Sequence, residues 1–319
     1  MLWYDDRILH AVRRQKLVKF VFPDCQRFVA KQDNQHGWTM DGKFSSDGKT
    51  TYFHRDFSDF LFLDPEKTGK IGVFKLAEIF GEAGRSIWSY DSGGNRLASA
   101  LRRNGHTLFV LAQSFEFSPT CYTDFSTKVP VVFVSRIVHV GRTSLVQRRE
   151  LRIKRTGTVV ATMLAQFVYV NLETRRPTPL PESYINTYLD ETNGQRPKTH
   201  KHFSRFPPQG VEIYYYPVVV STKDVDENRH TSNTSYIKYC IDCFMFGARE
   251  RAYSVIQGNL SDYPITNLSL QFVSESDLND KLTVTSWADT AKPYQVHFVI
   301  QKDEREVAQC TLKFDVNRA

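Results

Sequence analysis

The sequence predicts an α+β protein made of two similar halves, each with one long helix followed by four antiparallel strands. Apolar residues recur at helical spacing once in each half, and short β-rich runs separated by turn residues follow each helical stretch. The chain has 319 residues, which is enough for two domains. Its aromatic content of 13% favours strands and a large core.

In the second half, a valine run at 218–220 predicts a strand, and a polar tract follows it at 224–235. From Tyr236 to Gly247 the apolar positions cover most of a helical surface, which predicts a helix that is buried on several sides. Four strand-like runs come next, at 265–273, 281–287, 294–301 and 306–314.

The first half repeats this order, with a predicted strand at 57–63 and a turn at 64–69. A single helical stripe is formed by Val73, Leu76, Ala77, Phe80, Gly84 and Ile87. Strand-like runs follow at 108–117, 131–140, 144–154 and 158–172. A helix and a curled sheet can bury each other's apolar faces, so we expect a tandem (double) hotdog fold, with two antiparallel sheets each wrapped around a long central helix.

The predicted domains are hotdog domain 1 at 51–176 and hotdog domain 2, which carries the site, at 211–319. Residues 177–210 are rich in Pro, Asn, Gln and charge and are predicted to form a linker. Residues 1–50 form an N-terminal extension or extra strands. One chain would act as a pseudo-dimer, either as a monomer or as a homodimer.

The net charge of +7 predicts attraction for an anionic partner, such as the phosphates of CoA or an acidic acyl carrier protein. The alternating run at 148–155 would turn a basic face outward from a strand. We find no nucleic-acid motif, no zinc spacing and no apolar run long enough to span a membrane. The first residues do not resemble a signal peptide, so we expect a cytoplasmic protein, with organellar import left open.

The polar tract is the strongest functional signal, because it brings acids, an asparagine and a histidine to the start of a helix. His230 could act as a base, Asp226 could orient its ring, and Asn228 could donate to a substrate carbonyl. Glu275, at the end of a later strand, could be a general base on water. The structural alternative is a turn with Ser232 or Thr234 as the N-cap of the helix.

The spacing Asp-x-Asp-x-Asn-x-His-x-x-Asn-x-x-Tyr from Asp224 to Tyr236 resembles the signature of plant-type acyl-ACP thioesterases, a double-hotdog family. The strand ending in Glu275 resembles their catalytic segment, with Ser276 in place of a cysteine. The resemblance implies Asp226, Asn228, His230 and Glu275 as the catalytic set. It leaves open which residue takes the proton and whether an acyl-enzyme forms.

Other positions are expected to bind the substrate. They include Asn233, Tyr236 and Phe244, and an acyl channel beside a central helix would be lined in part by Phe244 or Met245. The segment at 136–144, which continues to 171–181, resembles single-hotdog acyl-CoA thioesterases, so Arg142 and Ser144 could contact the phosphate of CoA or pantetheine. Glu78 and Glu82 are alternative carboxylates on the first helix, although pairing or exposure to solvent is the favoured explanation for them.

Together these features predict a hydrolase that cleaves acyl-ACP or acyl-CoA thioesters to a fatty acid and a thiol, without a cofactor. A hotdog hydratase or dehydratase is one alternative, although its Asn-Pro-x-x-His spacing is absent around Asn228 and His230. A non-catalytic acyl-thioester-binding module is the other alternative.

Overall fold

The structure, a computed structural model, contains four helices and thirteen strands in the residues that it describes. These residues are 25–30, 40–45, 50–55, 72–88, 105–123, 125, 129–188, 197–199, 203, 206–226, 229–254, 256 and 263–315. The strand predicted at 57–63 and the turn at 64–69 lie outside these ranges, as do most of the first fifty residues.

In the described part of the chain, both halves contain one long helix that follows a strand and precedes four longer strands, and the first half has three further strands and two short helices. The strands of the first half are β1 (Cys25–Ala30), β2 (Met40–Ser45), β3 (Thr50–Arg55), β4 (His106–Phe117), β5 (Val131–Val140), β6 (Ser144–Ile153), β7 (Val159–Asn171) and β8 (Arg176–Pro177). Those of the second half are β9 (Tyr214–Val219), β10 (Ile265–Phe272), β11 (Lys281–Ala288), β12 (Gln295–Lys302) and β13 (Arg305–Phe314). The helices are α1 (Val73–Trp88), α2 (Thr120–Thr123), α3 (Glu182–Tyr188) and α4 (Asn233–Arg249).

The strand order repeats between the halves. It is β3-β5-β6-β7-β4 in the first half and β10-β13-β12-β11-β9 in the second, which is the same order read from the opposite edge. We expected two sheets, and this detail is wrong, because β4 pairs antiparallel with β10 and joins all the described strands into one sheet. Ser114 lies opposite Ser269 at the centre of this pairing.

The two long helices lie against the sheet and contact each other. Phe80 of α1 makes edge-to-face contacts with Phe115 and Phe133, with ring centroids 5.8 and 5.5 Å apart. In α4, the Phe244 ring stacks on Phe314 at 4.5 Å. Burying aromatic side chains of this size contributes about 1.5–3 kcal/mol each. One hydrophobic core therefore contains residues of both halves.

The predicted linker is tied to the sheet at several points. It contains α3, and Thr199 Oγ1 donates to Gln166 Oε1 of β7 at 3.1 Å. Further on, Gln309 of β13 donates to the carbonyl of Phe203 at 3.2 Å. The domain boundaries themselves remain predictions. In the described ranges, no helix is both long enough and apolar enough to cross a membrane.

Candidate functional site

The polar tract forms a tight loop that presents side chains in front of α4. Val225 and Thr231 form an isolated β-bridge, and the Asp226 N–H donates to the His230 carbonyl at 2.9 Å. Arg229 takes the left-handed conformation that closes the loop, with φ of 66°. Asn228, which we expected to be catalytic, lies outside the described residues.

The first acid of the tract, Asp224, has a structural role. Its buried carboxylate accepts hydrogen bonds from Ser221 Oγ at 2.6 Å and from Lys238 Nζ at 3.2 Å. Burial opposes ionisation, but the bonds from Ser221 and Lys238 outweigh it and lower the pKa of Asp224. Its carbonyl accepts from Ser235 Oγ at 2.9 Å. Asp224 therefore fixes the first turn of α4 to the end of β9.

Ser232 is the N-cap of α4, which is one of the two caps predicted from the sequence, Ser232 or Thr234. Its side chain accepts from the Ser235 N–H at 3.2 Å, and its backbone is extended, with φ of −67° and ψ of 150°. The cap places Asn233 at the first helical position, where it lines the cleft described below. Backbone N–H groups at a helix start favour negative charge nearby.

Ser276 joins the loop to the segment that follows β10. The buried Ser276 hydroxyl lies 2.7 Å from Thr231 Oγ1 and 2.8 Å from the Tyr236 hydroxyl. The Thr231 N–H donates to the Ser276 carbonyl at 2.8 Å, and His230 bridges to Asp277. Ser276 is fully buried, so its hydroxyl is a structural link between the two segments and is not exposed to a substrate.

These links bring Glu275 next to His230. Glu275 Oε2 lies 3.2 Å from His230 Nδ1, while Asp277 Oδ1 is 3.9 Å from the same nitrogen. Nδ1 is buried and makes no well-aligned hydrogen bond with a described residue. The two side chains are 35% and 41% exposed, which leaves both accessible from the cleft.

A residue of the first half completes this group. Arg175, in the turn after β7, donates from Nη2 to Glu275 Oε2 at 2.7 Å. Its guanidinium also lies over the Phe109 ring, 5.6 Å from the centroid. Sequence reasoning assigned no role to Arg175. The only signal was its position in the segment at 171–181, which resembles hotdog thioesterases.

The cleft has a volume of about 740 Å³ and opens where β4 and β10 stop pairing. The two strands pair over 112–116 and 267–271, and the cleft lies between residues 107–111 and 272–275. Apolar side chains of both halves form much of its wall. The cleft is lined by five of the residues singled out from the sequence: Asp226, His230, Asn233, Tyr236 and Glu275.

The other expected site residues lie elsewhere. Phe244 is fully buried in the core and does not line the cleft. Arg142 lies in the turn between β5 and β6, and its carbonyl accepts from the Leu180 N–H at 2.8 Å. Ser144 is the first residue of β6, and its carbonyl accepts from the Gly141 N–H at 2.7 Å. Glu78 pairs with Lys75 at 2.7 Å. The side chain of Glu82 lies outside the described part.

The repeated topology defines an equivalent position in the first half. Thr120 follows Ser114 by the same number of residues as Glu275 follows Ser269, and Cys121 likewise corresponds to Ser276. Here α2 occupies the space beyond the strand, and the Tyr122 hydroxyl donates to the Ile265 carbonyl at 2.5 Å. Burial raises the pKa of the Cys121 thiol to about 12, so it remains protonated. The first half has no carboxylate at this position.

Comparison with solved structures shows which class of fold this is. The chain has a hotdog fold and resembles acyl-ACP thioesterases over most of its length. An acyl-ACP thioesterase from Bacteroides thetaiotaomicron superposes with a TM-score of 0.63 at 15% identity, covering 85% of this chain and 100% of that one. The 12:0-ACP thioesterase from Umbellularia californica gives 0.63 at 13% identity, covering 83% and 97%.

A structure from Lactobacillus plantarum described as an oleoyl thioesterase also gives a TM-score of 0.63, at 15% identity over 83% of this chain and 95% of that one. Comparison with protein-family models and with curated proteins finds no match. At these identities the structural similarity shows the fold alone.

Proposed function

We propose that this protein hydrolyses acyl thioesters of an acyl carrier protein or of CoA, releasing a free fatty acid and a thiol. The observation that carries the proposal is the convergence of Glu275 and His230 at 3.2 Å, in a partly apolar cleft at the start of α4. Thioester hydrolysis requires a base for water and donors for the developing oxyanion, and a cleft of this kind can supply both.

In the proposed reaction, Glu275 takes a proton from water as the water oxygen attacks the thioester carbonyl. The negative charge that develops on the carbonyl oxygen is stabilised by N–H groups at the start of α4, with the amides of Asn233 and Asn228 as further donors. The C–S bond then breaks, and the proton that Glu275 took from water passes through His230 to the thiolate that leaves, so that both side chains return to their starting state. Asp226, on the same loop, lines the cleft beside His230. No cofactor takes part in this scheme.

A thiol-release assay on acyl-CoA and acyl-ACP of several chain lengths tests the proposal. Glu275→Gln should lower kcat by about 10²- to 10⁴-fold, because a general base contributes that much. Asn228→Ala should cost about 10²- to 10³-fold if its amide stabilises the oxyanion. Glu304→Gln, in the exposed turn between β12 and β13, is the matched control and should retain the wild-type rate.

Three results would contradict the proposal. Equal rates in the wild type and Glu275→Gln would remove the site, and a product with a shifted double bond but no free thiol would indicate a lyase. Binding of acyl thioesters without thiol release at any chain length would make the protein a binding module.

We further propose that the two halves derive from one repeated hotdog unit, so that one chain forms a pseudo-dimer. The support is the identical strand order of the halves and the antiparallel pairing of β4 with β10 about Ser114 and Ser269. Only the second half would then carry the catalytic residues, while the first half supplies one wall of the cleft.

The choice of an anionic carrier has support of its own. On the outer side of β5 and β6, Arg136 lies directly opposite Arg148. Arg148 and Arg152 both pair with Glu150, which leaves an excess of positive charge on this face. Like charges placed opposite each other destabilise a sheet slightly, and a cationic face attracts an acidic protein from a distance. This favours the acyl carrier protein as the physiological carrier.

A further inference from the structure

Arg175 connects the two halves at the candidate site through a single carboxylate oxygen. Its Nη2 donates to Glu275 Oε2 at 2.7 Å, and the same oxygen faces His230 Nδ1 at 3.2 Å. Among the described residues, no contact engages Glu275 Oε1. One oxygen of the carboxylate therefore accepts a hydrogen bond from Arg175 and lies close to His230, while the described contacts leave the other oxygen to meet water in the cleft.

Stability alone does not account for this pair. The Arg175 side chain is 56% exposed and that of Glu275 is 41% exposed, and ion pairs so open to water contribute little to folding. The arginine is nevertheless well anchored. It has a left-handed backbone with φ of 57°, its N–H donates to the Asn171 carbonyl at 2.9 Å, and its guanidinium lies over Phe109. The side chain is thus held in place before Glu275 is engaged.

We propose that Arg175 is a positioning residue that holds the Glu275 carboxylate by Oε2 and so directs Oε1 towards the cleft. This inference rests on the proposed hydrolase function. Oε2 is engaged by the guanidinium, so Oε1 is the oxygen that can accept a proton from water in the cleft. Arg175 therefore favours Glu275 as the base of the pair.

The first readout needs no catalysis. Histidine ring signals are titrated by NMR in the wild type and in Arg175→Gln, with His230 assigned from His230→Ala. Losing the arginine removes a cation that repels a protonated His230 ring, and it leaves His230 as the remaining described partner of the Glu275 carboxylate. The His230 ring should therefore titrate about half a pH unit or more higher. Arg175→Lys should stay close to the wild type.

The second readout is the pH profile of kcat/KM. In Arg175→Gln the acidic limb should move to higher pH, because a carboxylate without its cation is protonated more easily. Arg175→Lys should restore the position of the limb. The rate should stay lower, because the planar guanidinium of arginine matches the geometry of a carboxylate better than an ammonium does. Arg176→Gln is the control, since this neighbouring arginine is equally exposed and should shift neither readout.

Three results would overturn the inference. Arg175→Gln could leave both the His230 titration and the acidic limb at their wild-type values. It could lower only the melting temperature, as a purely structural residue would. The shift in the His230 titration could also persist undiminished when Arg175→Gln is combined with Glu275→Gln, which would mean that Arg175 acts without Glu275. If the wild type releases no thiol, the proposed function fails, while the NMR titration still tests the contact.

Discussion

The Ser276 hydroxyl illustrates how single side chains assemble the site. It links Thr231, which precedes α4, to Tyr236 in the first turns of that helix, with contacts of 2.7 and 2.8 Å. Glu275 is the preceding residue in the chain, so its direction depends on this link. A serine at this position therefore supports the site through hydrogen bonds, although the motif that this segment resembles has a cysteine there.

We expect Ser276→Ala to lower the free energy of unfolding by about 1–3 kcal/mol, because the buried hydroxyls of Thr231 and Tyr236 would each lose a partner. Urea denaturation measures this directly. Thiol release should fall as well, since the Glu275 segment is no longer tied to the loop. Ser254→Ala, on an exposed serine, should change stability by less than about 0.5 kcal/mol. A loss no larger than that of this control would show that the link is dispensable.

At the scale of an element, α4 combines a rigid start with a close approach at its end. Its first turn is held by Ser232 and Asp224, as described above. Near its C-terminus, Gly247 packs against Tyr253, whose buried hydroxyl lies 2.8 Å from Ser286 Oγ of β11. A Cβ at Gly247 would lie 2.7 Å from the Tyr253 hydroxyl. The glycine therefore allows the helix end to approach this side chain.

Gly247→Ala should consequently destabilise the protein by about 1–3 kcal/mol through overpacking, although alanine is the better helix former. Gly81→Ala in α1 provides a matched comparison, because the nearest atom to its added Cβ would be Thr234 Cγ2 at an ordinary 3.7 Å. That variant should gain up to about 1 kcal/mol. Thermal and urea denaturation of the two variants compare these effects. Equal shifts in the same direction would refute the packing argument.

The sequence located most elements because their signals are local. The strand predicted at 131–140 has these bounds in the structure, where Pro130 precedes it and Gly141 follows it. The helix predicted from Tyr236 to Gly247 extends to Asn233–Arg249, and Gly247 is buried rather than near the surface. A helix that is apolar on most sides carries no signal for which side faces a cleft, so Phe244 could not be placed.

On the scale of the whole molecule, the defining contact is the pairing of β4 with β10. No local pattern specifies this pairing, because the two strands come from different halves and each could equally have been an edge. The contact of Arg175 with Glu275 likewise joins residues 100 positions apart. The sequence therefore predicted the loop and the strand end that carry His230 and Glu275, but not the wall and the cation that the first half contributes.

The cationic outer face also belongs to this scale. If it attracts an acidic carrier, Arg136→Glu should raise KM for acyl-ACP several-fold while leaving KM for acyl-CoA unchanged. The effect should shrink as salt is added, because exposed charges are screened. Lys281→Glu makes the same charge change on an exposed residue of the second half and serves as the control. Equal losses in both variants would indicate a general charge effect instead of a docking face.

In the first half, α2 and Tyr122 occupy the position that corresponds to the cleft of the second half, which affects the number of sites per chain. Under the proposed function, a chain whose two halves share one strand order would offer a single reaction centre, and a homodimer of this chain would hold two centres among its four halves. The first half provides Arg175 and Phe109 to the cleft. Mutations there would then change turnover without altering the residues proposed to carry the proton.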